Sequence, residues 1–199
     1  MDDILIFDNI IPKRQSEYIL DSIFTDSFPW YFMPKIVDPN GESNYQNVSG
    51  FNHFLLEDNK KVSQYFDMFY PIVMNVLDKQ EVTCNQIIRM RLNLHSCHPD
   101  SKMEYHLPHI DSFFPHMNMI CYLNDSDGDT FIFNEVNEHF NTQYDSEIVS
   151  NNKFTIKKRI TPKMGRCVVF DGRYYHSSSY PKKSLSRCVM NVNLATIKL

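Results

Sequence analysis

Apolar residues recur along the chain at two different spacings, and these spacings predict helices and strands. Residues 12–24 and residues 60–77 carry apolar side chains three or four positions apart, which predicts an amphipathic helix in each segment. A proline suits the first turn of a helix, so Pro12 is expected to open the first one. Pro71 falls inside the second pattern and is expected to kink that helix or split it in two.

Alternating and continuous apolar runs predict the strands. Residues 86–94 alternate apolar and polar side chains, so one face of that strand is expected to be buried. Residues 166–171 form an apolar run between two glycines, which predicts a buried strand, and residues 187–194 predict another. The apolar runs 121–123 and 130–133 flank an Asp-Gly pair, which favours a β-hairpin.

Polar or proline-containing segments separate these elements. Residues 28–37 contain two prolines, which restricts them to an edge strand or an irregular segment. Residues 36–50, 95–107 and 135–152 are expected to be the loops on which substrate specificity depends, and the last of them is expected to be exposed. Within the first of these loops, residues 38–47 are expected to act as a lid.

The size and composition of the chain fit one enzyme domain. Its 199 residues are 42% hydrophobic and 14% aromatic, which is enough to bury a sizeable core. We expect a single domain over residues 1–199, with residues 1–84 as helical and strand support and residues 85–199 as the catalytic core. A formal net charge of −4 argues against a general affinity for nucleic acid or an anionic membrane, because both need a dominant basic face.

The cysteines argue for a reducing environment. There are five of them, an odd number without the pattern of a secreted disulfide framework. No apolar stretch is long enough for a membrane span, and the acidic start of the chain does not resemble a signal peptide. These features predict a cytoplasmic protein in which Cys121, Cys167 and Cys188, all in predicted strands, are buried thiols.

Two histidines and one aspartate have the composition of an open metal site. His109 and Asp111 are two positions apart, so in a strand both side chains point to one side while Ile110 points to the other. His176 follows the predicted strand 166–171 and is expected to supply a third ligand where that strand ends. Two imidazoles and one carboxylate on one face leave coordination positions free, which is typical of non-haem Fe(II) oxygenases.

A fixed cation accompanies these residues. Arg187 stands at the start of the predicted strand 187–194, and its planar guanidinium suits the far carboxylate of a chelating 2-oxo acid. A rival motif, His98-Pro99-Asp100, has the same spacing as the first one. Its proline and the neighbouring serines are typical of a turn, so we do not expect it to bind the metal.

Further histidines lie near these motifs. His106 and His116 are expected to be hydrogen-bonded structural residues, with contact to a substrate as the alternative. The roles of His95 and His98 stay open. A zinc cluster around these two would need a second close pair of ligands, which the sequence does not offer.

Together the motifs resemble the Fe(II)/2-oxoglutarate-dependent dioxygenases, and most of all the prolyl 4-hydroxylase-like branch with its small phage-borne members. The resemblance rests on His109-x-Asp111, Tyr122-Leu-Asn124, Gly128-Asp-Thr130, residues 165–170, His176 and Arg187. It extends over residues 85–197 and, more weakly, over the start of the chain. It implies a mainly β fold with flanking helices, whose core is a double-stranded β-helix, the jelly roll of cupin-like proteins.

The resemblance also implies the cofactors and the reaction. It assigns Fe(II) to His109, Asp111 and His176, and it assigns the far carboxylate of 2-oxoglutarate to Arg187 and Tyr122, with an aromatic core residue as the alternative for Tyr122. Asn191 and Asn193 share the face of Arg187 by the period of two, so either is expected to approach the metal-bound end of the cosubstrate. In this family O2 takes a free coordination position, and 2-oxoglutarate is converted to succinate and CO2 while a substrate is hydroxylated. The implied location is the cytoplasm, which for a viral protein would be that of the host.

The substrate is left open by the sequence. The branch resemblance favours a residue of a protein or peptide, with proline as the first candidate. An oxygenase of a small molecule, such as a free amino acid or metabolite, is the second class, and a metal-binding jelly roll without catalysis is the third. The chain departs from the prolyl hydroxylase pattern in two places: Arg187 stands where many members have lysine, and Tyr105 lies four rather than three residues before His109.

Overall fold

The computed structural model describes residues 3–36, 48–79, 84–140 and 154–196. Within these ranges the chain forms two helices, α1 (Lys13–Ile23) and α2 (Phe66–Lys79). The strands, in chain order, are β1 (Ile4–Phe7), β2 (Tyr31–Met33), β3 (Gly50–Glu57), β4 (Lys60–Lys61), β5 (Cys84–Ser96), β6 (Met117–Tyr122), β7 (Thr130–Val136), β8 (Ile156–Ile160), β9 (Cys167–Asp171), β10 (Tyr174–Ser178) and β11 (Ser186–Thr196). In this part of the chain neither helix is long and apolar enough to cross a membrane.

The strands form two antiparallel sheets. The larger sheet has the order β1-β9-β6-β11-β5-β3-β2, with β4 paired to β3, and the smaller sheet has the order β10-β7-β8. Side chains of the two sheets pack together in a buried cluster that includes Tyr122 and Val189 from the larger sheet and Ile132 from the smaller one. The predicted fold class, mainly β with flanking helices and a jelly-roll core, is confirmed.

Both helices pack on one face of the larger sheet. Ile19 of α1 and Phe69 and Val73 of α2 are fully buried, and they belong to one cluster with Met90 and Val192 of the sheet. The apolar side chains that gave each helix its amphipathic pattern are therefore the ones that it buries against the sheet. The predicted support segment and the predicted catalytic core contribute to the same hydrophobic cluster.

Strand β5 separates this cluster from the polar side of the sheet. Met90 and Leu92 are buried beneath the helices. Successive side chains of a strand alternate between its faces, so Arg89, Arg91 and Asn93 lie on the opposite face. The alternation predicted for this strand is therefore present, and its polar face turns toward the smaller sheet.

Several predicted boundaries were wrong. The second helix begins at Phe66 rather than at residue 60, because Lys60–Lys61 pairs with β3 as strand β4, and Pro71 lies inside one helix that is not split. The predicted hairpin between the runs 121–123 and 130–133 does not form. Strand β6 pairs with β9 and β11, whereas β7 pairs with β8 and β10, so the turn between them crosses from one sheet to the other.

The cysteines also differ from the prediction. Cys121 and Cys167 face each other on the paired strands β6 and β9, with 4.2 Å between their Cα atoms, and form a disulfide. Spacing along the chain could not reveal this pair, since it depends on the register of two strands. Cys188 is a buried free thiol, as predicted.

The loops that were expected to set specificity are described only in part. The predicted lid, residues 38–47, lies outside the described residues, as does most of the loop 135–152. The predicted edge strand at residues 28–37 is β2, which ends the larger sheet between two prolines.

Candidate metal centre

Main-chain hydrogen bonds place His109 beside His176. The N–H of each residue donates to the C=O of the other, both at 3.0 Å, and this pair joins the segment containing His109 to strand β10. The prediction that His109 and Asp111 share a regular strand was wrong, because only this isolated bridge is formed. The intervening Ile110 nevertheless points away into a cluster with Phe131, as the alternation requires.

His176 also reaches the site differently from the prediction. It does not end the strand that covers residues 167–171, because the chain first turns at Gly172 and then continues as β10 in the other sheet. The smaller sheet therefore supplies His176, and it holds His109 through the main-chain pair.

The three predicted ligands come together. One ligand atom from each of His109, Asp111 and His176 lies within 4.8 Å of the others, and His176 Nε2 is 3.5 Å from Asp111 Oδ2. Among the described residues this is the group whose side chains could hold a metal ion, and His98 of the rival motif is not part of it.

Hydrogen bonds to carbonyl groups orient both imidazoles. His109 Nδ1 is 3.0 Å from the C=O of Leu107, and His176 Nδ1 is 3.3 Å from the C=O of Tyr174. A carbonyl oxygen only accepts, so each Nδ1 carries the proton and each Nε2 keeps its lone pair for a metal. Burial and then the neighbouring His176 lower the pKa of His109 to about 4, so this ligand is neutral at physiological pH.

The carboxylate of Asp111 is held by nitrogen donors on both oxygens. Arg89 Nη2 donates to Oδ1 at 3.1 Å and Arg91 Nη2 lies 3.6 Å from the same atom, while the side-chain amides of Asn191 and Asn193 donate to Oδ2 at 3.1 and 3.3 Å. Burial alone would raise the pKa of Asp111, but the adjacent His176 ring and the charges of Arg89 and Arg91 hold it well below its usual range. The carboxylate is therefore ionised and fixed.

Asn191 and Asn193 were predicted to approach the cosubstrate, and in the structure both contact Asp111. Asn193 is fully buried and also donates to Asn118 at 2.6 Å. Asn191 lines the cleft beside the three ligands. Both asparagines therefore contact the Asp111 carboxylate, and of the two only Asn191 lines the cleft.

Arg187 lines the same cleft as His109 and His176, and only 3% of its surface is exposed. Its Nε donates to the C=O of Gly128 and its Nη2 to the hydroxyl of Thr130, both at 2.8 Å. A Cβ at Gly128 would lie 2.8 Å from the Ser179 carbonyl oxygen and 3.0 Å from Arg187 Cδ, so the arginine needs a glycine here.

Tyr122 does not reach the cleft directly. Its hydroxyl donates to Thr130 Oγ1 at 2.7 Å, and Thr130 lines the cleft. Because Thr130 Oγ1 accepts hydrogen bonds from both Tyr122 and Arg187, its own proton is available to a ligand. The prediction missed Thr130 as a site residue, although it ends the Gly128-Asp-Thr130 motif. Its role was hidden because the motif was assigned to a hairpin.

Two further histidines line the cleft near Arg187. His95 is opposite Arg187 in the pairing of β5 with β11, and its ring lies 5.2 Å from that of His106. His106 Nδ1 is 3.2 Å from Ser178 Oγ, while His106 Nε2 and His95 Nδ1 are buried without a hydrogen-bond partner in the part of the chain described. Burial, followed by the charge of Arg187, lowers the pKa of His95 to about 3.

His98 and His116 have structural contacts. The His98 ring packs on Tyr180 at 4.1 Å, and His116 Nδ1 donates to the C=O of Phe114 at 2.7 Å. The expectation of a structural role thus has support at His116. His106 lines the cleft, in keeping with the alternative of substrate contact.

The protein is thus a jelly roll in which two histidines of a His, Asp and His group and a buried arginine line one cleft. The solved structures that resemble this chain have that fold. A prolyl hydroxylase from Trichoplax adhaerens, in complex with a peptide of the hypoxia-inducible factor, aligns with a TM-score of 0.64 and 12% identity, over 98% of this chain and 84% of that one.

The resemblance includes enzymes of small molecules. The α-ketoglutarate-dependent epimerase SnoN from nogalamycin biosynthesis aligns with a TM-score of 0.64 and 10% identity, over 98% of this chain and 79% of that one. A prolyl 4-hydroxylase from Pseudomonas putida aligns with a TM-score of 0.54 and 10% identity, over 98% and 93% of the two chains. No protein-family model matches the sequence, and no curated protein matches it. At these identities the likeness establishes the fold.

Proposed function

We propose that the protein is an Fe(II)- and 2-oxoglutarate-dependent oxygenase that hydroxylates its substrate. The observation that carries this proposal is that Arg187 lines the same cleft as His109 and His176, the two histidines that meet Asp111. A metal-binding jelly roll without catalysis would have no need for a buried guanidinium at the far side of such a cleft.

The donor set fits ferrous iron. Two imidazole nitrogens and one carboxylate, all presented by one face, are the ligands that non-haem Fe(II) oxygenases use, and they leave positions for a chelating 2-oxo acid and O2. The proton positions also fit, because both Nδ1 atoms are committed to carbonyl groups. When bound, the iron supplies the oxygen chemistry that converts 2-oxoglutarate to succinate and CO2.

The chain's own residues bind and orient. Arg187 and the hydroxyl of Thr130 receive the far carboxylate of 2-oxoglutarate, and Tyr122 fixes the direction of the Thr130 hydroxyl. Asn191, Asn193 and Arg89 hold the Asp111 carboxylate so that it does not have to reorient when the metal binds. Asp111, Asn191 and Asn193 are buried, which restricts water around the reacting groups.

For the substrate, a residue of a protein or peptide, with proline first, is the candidate that the sequence resemblance favours. The likeness in fold extends to a peptide-bound prolyl hydroxylase and to enzymes of nogalamycin biosynthesis. A small-molecule substrate is the second candidate, and the positive charge of the cleft wall supports it.

Formation of succinate tests the reaction. The protein is loaded with Fe(II) under anaerobic conditions and then given 2-oxoglutarate and O2, and succinate is measured by mass spectrometry. We expect slow succinate formation without a substrate, and none from His109→Ala. An iron-loaded protein that neither binds 2-oxoglutarate nor makes succinate would establish the non-catalytic alternative. A search for products heavier by one oxygen among peptides, free amino acids and metabolites then addresses the substrate.

A further inference from the structure

Three arginines surround a site that holds one carboxylate. Arg89 and Arg91 lie near Asp111, and Arg187 lies farther along the cleft. In the proposed holoenzyme the charges of Fe(II) and of the 2-oxoglutarate dianion cancel. Three guanidiniums then face the carboxylates of Asp111 and Asp129. Asp129 is also paired with Arg159, so the cleft keeps an excess of positive charge at low solvent exposure. Such an excess is costly unless another anion enters.

Of the two arginines beside Asp111, Arg91 is the one whose charge is less compensated. Arg89 makes hydrogen bonds to Asp111 at 3.1 Å and to its main-chain carbonyl at 3.4 Å, whereas the nearest nitrogen of Arg91 is 3.6 Å from the carboxylate. Arg91 forms no hydrogen bond with the described residues, and its Nε is buried without a partner there. Its side chain is only 18% exposed.

The position of Arg91 directs its donors into the cleft. It lies on the polar face of β5 and lines the same cleft as His109 and His176. Burial lowers its pKa to about 10, with the charge of Arg89 as the second cause, so it remains a cation at neutral pH. A guanidinium carries five N–H donors in a planar fork, and a carboxylate can accept two parallel hydrogen bonds from this fork.

An acceptor lies next to this cation. Asn191 is opposite Arg91 in the pairing of β5 with β11, and its Nδ2 is used by Asp111. Its Oδ1 is buried and has no hydrogen-bond partner in the described residues. One wall of the cleft therefore offers a cation for a carboxylate and, beside it, an oxygen for an N–H group, which is the pattern that an α-amino acid presents.

We infer that Arg91 binds a carboxylate of the primary substrate, and that the substrate is a small carboxylic acid, with a free α-amino acid as the class that uses Asn191 as well. This inference rests on the proposed function and refines it. An internal prolyl residue of a peptide has no free carboxylate to place against Arg91, so the inference favours the small-molecule candidate over that substrate.

Binding to the anaerobic Fe(II)–2-oxoglutarate complex tests the inference without turnover. The charge-transfer absorption of that complex is recorded while common L-amino acids and small monocarboxylic acids are added, each beside its uncharged carboxamide. We expect at least one acid to shift the band, with its carboxamide at least tenfold weaker. In Arg91→Gln the Kd for that acid should rise at least tenfold, and Arg91→Lys should recover part of the loss. Arg14→Gln, which removes an exposed arginine of α1, is the charge-matched control and should behave as wild type.

Distinct results would overturn the inference. Equal effects of acid and carboxamide, equal Kd values in wild type and Arg91→Gln, or a panel in which only a prolyl peptide or nothing at all shifts the band would each reject it. If instead Arg91→Gln weakens 2-oxoglutarate itself by tenfold or more, Arg91 serves the cosubstrate's inner carboxylate and the inference is also wrong. Failure of the wild-type protein to form the 2-oxoglutarate band is a different outcome, because it rejects the proposed function as a whole.

Discussion

His109 and His176 are hydrogen-bonded to each other through their main chains in both directions, at 3.0 Å. Two residues that are distant in the sequence are thus brought to one place by backbone geometry, before any metal is considered. The separation of their side chains is therefore a property of the fold.

The first prediction concerns the metal. His109→Ala, Asp111→Ala and His176→Ala should each lower the affinity for Fe(II) by more than about 100-fold, since loss of a mere supporting partner already costs about 10- to 100-fold. Metal content after dialysis and succinate formation measure the effect. His98→Ala, in the rival motif, is the matched control and should retain its iron. If His98→Ala lost its iron while His109→Ala kept it, the metal would have to be assigned to the rival motif instead.

The second prediction concerns Arg187 and the cosubstrate. Arg187→Gln should raise the Kd for 2-oxoglutarate by about 100-fold, because a charge-assisted hydrogen bond contributes about 1.5–3 kcal/mol. Arg187→Lys keeps the charge but loses the fork and should fall between this variant and wild type. Anaerobic titration gives the Kd, and circular dichroism establishes that each variant is folded. A folded Arg187→Gln with wild-type affinity would place the cosubstrate elsewhere.

The third prediction separates two roles for Asn193. Because its amide contacts Asp111 and is fully buried, Asn193→Ala should weaken Fe(II) binding by about 10- to 100-fold. At saturating iron, its Kd for 2-oxoglutarate should stay close to that of wild type. The reverse result, with normal iron binding and weak cosubstrate binding, would support the role that the sequence alone suggested.

The fourth prediction concerns packing at Gly172. A Cβ at this position would lie 2.5 Å from the His116 ring, so Gly172→Ala should destabilise the fold by about 1–3 kcal/mol through overpacking. The double variant Gly172→Ala/His116→Ala removes the clashing ring and should recover much of that loss. Urea denaturation measures both, and additive effects of the two changes would mean that the contact is not the cause.

The fifth prediction concerns pH. Burial and the charge of Arg187 lower the pKa of His95 to about 3, whereas an unfolded histidine titrates near pH ~6.5. Between these values the unfolded chain binds a proton that the folded chain does not, so stability is full above pH ~6.5 and falls as the pH falls through the window. Denaturation of the metal-free protein from pH 7 to 4 should show this slope, and His95→Gln should reduce it. An unchanged slope would mean that His95 does not contribute.

The sequence predicted the parts of the fold that depend on local pattern. Both helices and strand β5 were recognised because their apolar residues follow the period of the element. Strands β3, β8 and β10 were missed, since the charged run in β8 and the tyrosine and serine content of β10 do not alternate in hydrophobicity. The hairpin was wrong because an Asp-Gly turn fixes local direction but not which sheet the next strand joins.

The candidate ligands were predictable from residue type and order, whereas their surroundings were not. Nothing in the sequence indicates that Arg89, Arg91 and Asn193 converge on Asp111, because this depends on the register of β5 against β11. The roles of Thr130 and Tyr122 depend similarly on how the two sheets face each other.

The histidines and Arg187 are held by different sheets, and this has a consequence for the length of the cosubstrate. The smaller sheet holds the two histidines and the larger sheet carries Arg187, so the space between the candidate metal site and the guanidinium depends on how the two sheets pack together. Substitutions of Ile132 or Val189, which fill that layer, should therefore change the preference among oxaloacetate, 2-oxoglutarate and 2-oxoadipate without touching any polar group. The packing between the two sheets would then set the length of the diacid that fits the site.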